Sequence, residues 1–197
     1  IKCLKSMGSE IDFVGDRKIL IQGKENLKGT SHHVIPDRIE AGTYMIAGAL
    51  IGNNLKIQNI ELDHMQNILN VFEELEIDFK LNKDSVSLSK SDIEVGVNLQ
   101  TKEYPGFPTD LQAQIMVLLS KSNKQSSIIE NIFENRFMHV PELNRMGTQI
   151  SIEGNKSIIS PSSELIGAPV MATDLRASVS LVLAGLISKG ETTINRI

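Results

Sequence analysis

Three segments of this chain open alike: "VIPDRIEAGTYMIAGALIG", "GFPTDLQAQIMVLLSKS" and "PVMATDLRASVSLVLAGLISKG". Each places an aspartate at the start of a helix-like run, and Asp37, Asp110 and Asp174 recur 73 and 64 residues apart. A pattern that returns in this way predicts one supersecondary unit used several times. The downstream order repeats as well. Each helix leads to a short strand ("NLKIQNIE", "SSIIENIFE", "ETTINRI"), and the first two then continue into a second helix ("MQNILNVFEELE", "HVPELNRMG") and a hairpin. The hairpins read "EIDFVGDRKILIQG", "EIDFKLNKDSVSLSK" and "QISIEGNKSIISP", with turn chemistry at Gly15-Asp16, Asn82-Lys83-Asp84 and Gly154-Asn155.

The first hairpin precedes Asp37, so it is expected to close an earlier unit whose second helix ends over Ile1 to Gly8. The expected content is the tail of one unit, two nearly complete units and the front of a third, a piece of a longer protein. Periodicity assigns the layers. In "SVSLSK", Val86 and Leu88 alternate with Ser85, Ser87 and Ser89, the pattern of a sheet with one wet face. The helices after Asp37 and Asp174 are apolar or small nearly all round, through Ala41, Gly42, Ile46 and Ala49 and through Ala177, Val179, Leu181 and Ala184. Helices are therefore expected at the centre with sheets outside.

Composition bounds the function classes. Over 197 residues, 41% are hydrophobic and 22% charged, which is a globular balance. The most apolar stretch, Ala177 to Ile187, falls short of the roughly 20 residues needed to span a bilayer, so no membrane partner is expected. A formal net charge of −4 argues against broad phosphate-backbone binding and hence against nucleic acid. A single cysteine, Cys3, and four scattered histidines give neither an internal disulfide nor metal-ligand spacing, so the expectation is a reducing, cytoplasmic setting and no metal or cofactor. Walker-type and G-x-G-x-x-G loops do not occur in the sequence.

The repeated aspartates invite a capping role, and their contexts differ. Asp37 follows Pro36 in a D-x-x-E variant of the capping box and is expected to be the cap itself. In Thr109-Asp110-Leu111-Gln112 the T-x-x-Q pattern hands capping to Thr109 and leaves the Asp110 carboxylate for a ligand. Thr173 is expected to release Asp174 in the same manner, with Arg176 two residues on. If the units surround a pseudo-threefold axis, three helix N-termini point to one end, where anions collect. Arg38 and Arg176 begin at that end, and Arg136 follows a strand end in the second unit. His139, before Val140-Pro141, reads as a structural histidine, His32-His33 as a surface pair, and Cys3 as a core or half-buried thiol.

One stretch resists the surface-or-core division. "ENIFENRFMHVPELNRMG", Glu130 to Gly147, threads acids, arginines and a histidine through Ile132, Phe133, Phe137 and Met138. A core does not tolerate Arg136 near Glu134 without pairing, and a solvated surface has no need of the apolar frame.

The motifs "PDRIEAGTY", "FPTDLQAQ", "IFENRFMHVPELNRMG" and "ATDLRASVSLVLAG", in this order from Pro36 to Gly185, resemble the UDP-N-acetylglucosamine 1-carboxyvinyltransferase family over essentially the whole chain. The resemblance implies an inside-out α/β barrel of repeated βαβαββ units. Residues 1–33 would be the end of the catalytic-loop domain and residues 34–197 most of the second domain, with the N-terminal half and extreme C-terminus of the protein missing. It implies transfer of the enolpyruvyl group of phosphoenolpyruvate to the 3-hydroxyl of UDP-N-acetylglucosamine, with these small molecules and the remainder of its own chain as partners. Asp110 would be the general base and a sugar contact, Ile132 a backbone contact, and Arg136, Asp174, Arg176 and Arg38 substrate-binding groups. The family's reactive cysteine stands in a glycine-rich loop, which "IKCLKSMG" does not match, so Cys3 does not inherit that role. A 3-phosphoshikimate 1-carboxyvinyltransferase-like enzyme and a non-catalytic module that kept the fold stay open as alternatives. The "FENRF" pattern counts against the first, and intact Asp110, Arg136 and Asp174 count against the second.

Overall fold

The computed structural model describes residues 1–15 and 17–196, in two compact units, Ile1–Ile35 and Pro36–Ile197. The first unit holds a short helix α1 (Lys2–Ser6) and an antiparallel hairpin of β1 (Glu10–Phe13) and β2 (Ile19–Gln22). Gly15 takes a positive φ of 103° in the hairpin connection, a conformation open to glycine; Asp16, the other half of the expected turn, lies outside the described residues. Ile11 is the buried side chain of this hairpin.

The second unit begins with α2 (Arg38–Ile51), β3 (Leu55–Gln58), α3 (Leu62–Glu74), β4 (Phe79–Asn82) and β5 (Ser85–Leu88). It then repeats the order with β6 (Asn98–Gln100), a 3-10 turn (Thr109–Leu111) running into α4 (Gln112–Leu119), β7 (Ser126–Ile129), α5 (Val140–Arg145), β8 (Gln149–Glu153) and β9 (Lys156–Ser160). A third round supplies β10 (Pro169–Met171), α6 (Leu175–Ile187) and β11 (Thr193–Asn195). Sheet order repeats too, as β3-β5-β4 and β6-β7-β9-β8. The strands flanking α4 and α6, β6 with β7 and β10 with β11, pair in parallel. These are the βαβ and hairpin halves of one recurring unit.

The layering follows from which helices lack a polar face. All eight residues of α4 are buried, and α4 packs against both α2 and α6. Close approach is built in: a Cβ at Gly42 of α2 would stand 2.6 Å from Leu111 Cδ1, and one at Gly48 about 3.0 Å from Leu88. α3 is amphipathic instead, burying Met65, Ile68, Leu69, Val71 and Phe72 and turning its charged side outward. The expected wet face of the hairpin strands holds only in part. Val86 and Leu88 point inward as read, but Ser85 is also buried, because the chain leaving β3 covers that strand end through the Ile60 N–H to Asp84 carbonyl bond of 3.1 Å.

Filling the centre with α4 carries a cost for cavities there. Ile115→Ala is expected to lower the unfolding free energy of the protein by roughly 2–5 kcal/mol, read by urea denaturation. A loss below about 0.5 kcal/mol, the scale of surface substitutions, would mean that α4 is not central.

Candidate active site

The N-terminal ends of α4 and α6 meet, and their charged side chains form one cluster. The Asp110 carboxylate accepts from Arg136 Nη2 at 3.3 Å and lies 3.5 Å from Arg176 Nε, both at the same oxygen, Oδ1. Asp110 stands in the 3-10 turn ahead of α4, Arg136 in the loop after β7, and Arg176 in the first turn of α6. Three separate elements thus deliver one carboxylate between two guanidinium groups. The surrounding cleft, about 490 Å³, is lined by Asp110, Arg136, Asp174 and Arg176 together with Phe133 and Met138. A second hollow of about 770 Å³ lies across the same loop, lined by Ile132, Phe133, Arg136, Ile152 and Asn155.

That loop belongs to the mixed charged and apolar stretch from Glu130 to Gly147. Its apolar residues divide by role: Phe137 is buried as an anchor, while Phe133 is exposed and its ring lies 5.0 Å beneath the Arg136 guanidinium. Glu130 at the loop's root is 3% exposed, and its carboxylate accepts four hydrogen bonds, from Thr101 Oγ1 (2.8 Å), Thr109 Oγ1 (2.9 Å), Ile132 N (2.9 Å) and Phe133 N (3.2 Å). The segment is anchored by Glu130 and Phe137, and it lines the two hollows with both charged and apolar side chains, Arg136 beside Phe133 and Met138.

Two capping expectations are overturned. Thr109 does not cap the second helix: the turn starts from Pro108, no side chain caps it, and the Thr109 hydroxyl reaches across to Glu130. Gln112, the other half of the expected box, is buried with neither amide atom hydrogen bonded among the described residues. Thr173 does not cap the third helix either. It is exposed, and Asp174 itself, in extended backbone, takes the Arg176 N–H at 2.7 Å and the Ala177 N–H at 2.9 Å on Oδ1. Asp174 is thus a cap that also lines the cleft, whereas Asp110 has no capping duty. Asp37 caps α2 as read, accepting from Ile39 N at 2.7 Å and Glu40 N at 3.3 Å.

The structure brings together Asp110, Arg136, Asp174 and Arg176, and sets Ile132 on the adjoining hollow. Arg38 stands apart. Its guanidinium lies 5.0 Å over the Tyr104 ring, and Nη1 is buried with no hydrogen bond among the described residues. Glu130 and Thr101 escaped the sequence reading because their partners are scattered over the chain and no local pattern marks them. A further hollow, about 800 Å³, lies at the other ends of α2 and α6, beside Leu50, Lys121 and Leu186. Two of its polar pairs are Lys121 Nζ to Ser163 O (2.8 Å) and Asn123 Nδ2 to Glu94 (2.8 Å).

His139 begins α5, 2% exposed, and its Nε2 has no hydrogen-bond partner among the described residues. Burial drives its pKa from 6.5 down to about 4; the Asp174 charge opposes this and the Arg136 charge adds to it. It is a neutral structural histidine under the cleft.

Comparison with known proteins fits this picture. The enolpyruvyl transferase NikO from Streptomyces tendae superposes with a TM-score of 0.88 at 25% identity, over 98% of this chain and 47% of that one. An EPSP synthase from Acinetobacter baumannii shares the fold at a TM-score of 0.75 and 17% identity. The family model described as EPSP synthase (3-phosphoshikimate 1-carboxyvinyltransferase) matches residues 1–197, and the chain belongs to that family of enolpyruvyl transferases. Curated relatives carry a more particular name, UDP-N-acetylglucosamine 1-carboxyvinyltransferase. The protein of that name from Granulibacter bethesdensis is 48% identical over 99% of this chain and 46% of its own length, and that from Pelagibacter ubique is 50% identical over 100% and 47%. The chain spans about half the length of the curated relatives it matches.

The two aspartates should separate on substitution. Asp174→Ala is expected to cost about 1 kcal/mol through the lost cap, whereas Asp110→Ala, which breaks only part-exposed ion pairs, should cost less than about 0.5 kcal/mol. Equal losses in denaturant titrations would contradict the assignment.

For His139, the depressed folded value means that the unfolded chain binds a proton where the folded chain does not. Its contribution is complete above 6.5 and is lost as pH falls toward about 4, on the order of 3 kcal/mol over that window. The expected result is a shallower acid loss of stability in His139→Gln than in wild type between pH 7 and 4. Parallel curves would show that His139 titrates normally.

Proposed function

We propose that the protein containing this chain transfers the enolpyruvyl group of phosphoenolpyruvate to the 3-hydroxyl of UDP-N-acetylglucosamine and releases phosphate. The observation that carries the reading is the Asp110 carboxylate held between Arg136 and Arg176 at the cleft, in a chain whose relatives at 48–50% identity bear the name of that transferase. On this reading residues 1–33 close the catalytic-loop domain and residues 34–197 build most of the second domain. The reaction belongs at the first committed step of peptidoglycan synthesis, in the cytoplasm.

The roles follow from the chemistry of each side chain. The sugar hydroxyl oxygen adds to C2 of phosphoenolpyruvate, Asp110 takes the hydroxyl proton as the bond to carbon forms, and the displaced π pair takes a proton from solvent so that C3 becomes a methyl group. Loss of a proton from C3 then re-forms the C2–C3 double bond, the C2–O bond to phosphate breaks, and inorganic phosphate leaves the enol ether. Arg136 and Arg176 present planar forks suited to carboxylate and phosphate oxygens, so an incoming anion competes for guanidinium groups now engaged with Asp110. Releasing Asp110 from those pairs frees its oxygens for the hydroxyl. Ile132 offers a backbone contact on the sugar side, Asp174 lines the same cleft while capping α6, and Arg38 is a further substrate-binding group.

The test is phosphate release from phosphoenolpyruvate by a full-length version, with UDP-N-acetylglucosamine or shikimate 3-phosphate as acceptor. Turnover is expected with the sugar nucleotide alone, and Asp110→Ala is expected to lower it by roughly 10²-fold or more, the scale for a general base. Arg136→Lys should also impair the phosphoenolpyruvate constants, since a point charge does not reproduce a bidentate fork. The isolated 197-residue chain should be inactive, because positioning between two walls supplies much of such a rate. Turnover with shikimate 3-phosphate in place of the sugar nucleotide, or a full-length Asp110→Ala enzyme with unchanged turnover, would overturn the reading.

A further inference from the structure

Glu130 is the most heavily hydrogen-bonded side chain near the cleft, and the proposed reaction gives it no role. Burying a carboxylate is unfavourable unless donors replace its water. Here they come from three segments: Thr101 just after β6, Thr109 in the turn ahead of α4, and the backbone of Ile132 and Phe133 after β7. Thr101 Oγ1 in turn accepts from Asn131 N at 2.9 Å, which ties the loop's first peptide to the same point. The two oxygens divide the work. Oε1 holds the loop and Thr101, and Oε2 holds Thr109.

What hangs from these bonds is the cleft itself. Thr109 is the residue before Asp110, so fixing its hydroxyl fixes the turn that carries the carboxylate. Phe133 is the ring on which the Arg136 guanidinium rests at 5.0 Å, so fixing its N–H fixes the platform of the arginine. The Asp110–Arg136 approach of 3.3 Å is closed between these two arms.

We propose that Glu130 is a positioning residue: its buried carboxylate clips the Asp110 turn to the Arg136 loop and so sets the spacing of base and guanidinium in the cleft. The inference rests on the transfer reaction proposed above for its kinetic consequence, while its geometric content stands without it. A group of this kind acts on rate, because a displacement near 1 Å at a reacting centre can cost on the order of 10²-fold. It has little effect on ground-state binding where substrate contacts survive.

Full-length protein carrying Thr109→Val or Glu130→Gln is compared with wild type in two arms, crystal structures and steady-state kinetics with phosphoenolpyruvate and UDP-N-acetylglucosamine. Thr109→Val cuts one arm of the clip without unburying a charge, so it stays informative if Glu130→Gln fails to fold. The expected structure shows Asp110 and Arg136 separated by about 1 Å more than in wild type, and the expected kinetics show kcat down about tenfold with KM values within about twofold. Thr109→Ser, which restores the hydroxyl, should recover kcat to within about twofold of wild type, which a packing defect from losing the threonine would not do. An unchanged Asp110–Arg136 separation in Thr109→Val overturns the clip whatever the rates. A widened separation with unchanged kcat overturns its positioning role. If wild type itself shows no transfer, the proposed function fails and the crystal structures alone decide whether Glu130 sets the spacing.

Discussion

Burying all eight residues of α4 requires neighbours on every side of the helix. α2 and α6 supply two of them, and both are apolar enough to be covered on the side that faces α4. The sheets are then forced outward, with apolar residues such as Val86, Leu88, Ile128 and Ile159 buried against the helices. Small residues let the layers close: Gly42 and Gly48 bring α2 against Leu111 and Leu88 at distances that leave no room for a side chain. The helices after the repeated aspartates thereby end side by side, and α4 and α6 present their first turns to the same cleft.

Charge gathers there because helix starts leave backbone N–H groups unpaired and favour negative charge. Asp174 uses this in the ordinary manner, closing the first turn of α6. Asp110 does not, and its carboxylate is held by guanidinium groups that an anionic substrate can draw away. The Arg136 loop completes the arrangement, anchored at Glu130 and Phe137 and free between them to wall two hollows.

Much of this was legible in the sequence. The repeat of aspartate, helix, strand, helix and hairpin corresponds to the recurring units, whereas burial all round, expected of α2 and α6, belongs to α4, and α6 leaves Leu175, Val182 and Leu186 exposed. Asp110, Arg136, Asp174 and Arg176, named from separate motifs, line one cleft. Failures came where a local rule met a distant partner. A T-x-x-Q pattern is a sound capping signal, yet Thr109 spends its hydroxyl on Glu130, 21 residues away. Thr173 lost the cap to the residue beside it, since extended backbone at Asp174 puts the carboxylate over the first N–H groups of α6. Glu130 itself, an acid following the apolar strand β7, gave no signal, because its four donors are assembled only by the fold.

The central claim is that Asp110 exchanges its arginine pairs for a sugar hydroxyl when substrate binds. A crystal structure of the full-length protein with UDP-N-acetylglucosamine bound tests this directly. The account predicts the 3-hydroxyl oxygen about 2.6–3.2 Å from an Asp110 carboxylate oxygen, the reach of a general base, with the Arg176 contact lengthened beyond its present 3.5 Å. A sugar bound elsewhere, with Asp110 still held by both arginines, would contradict it.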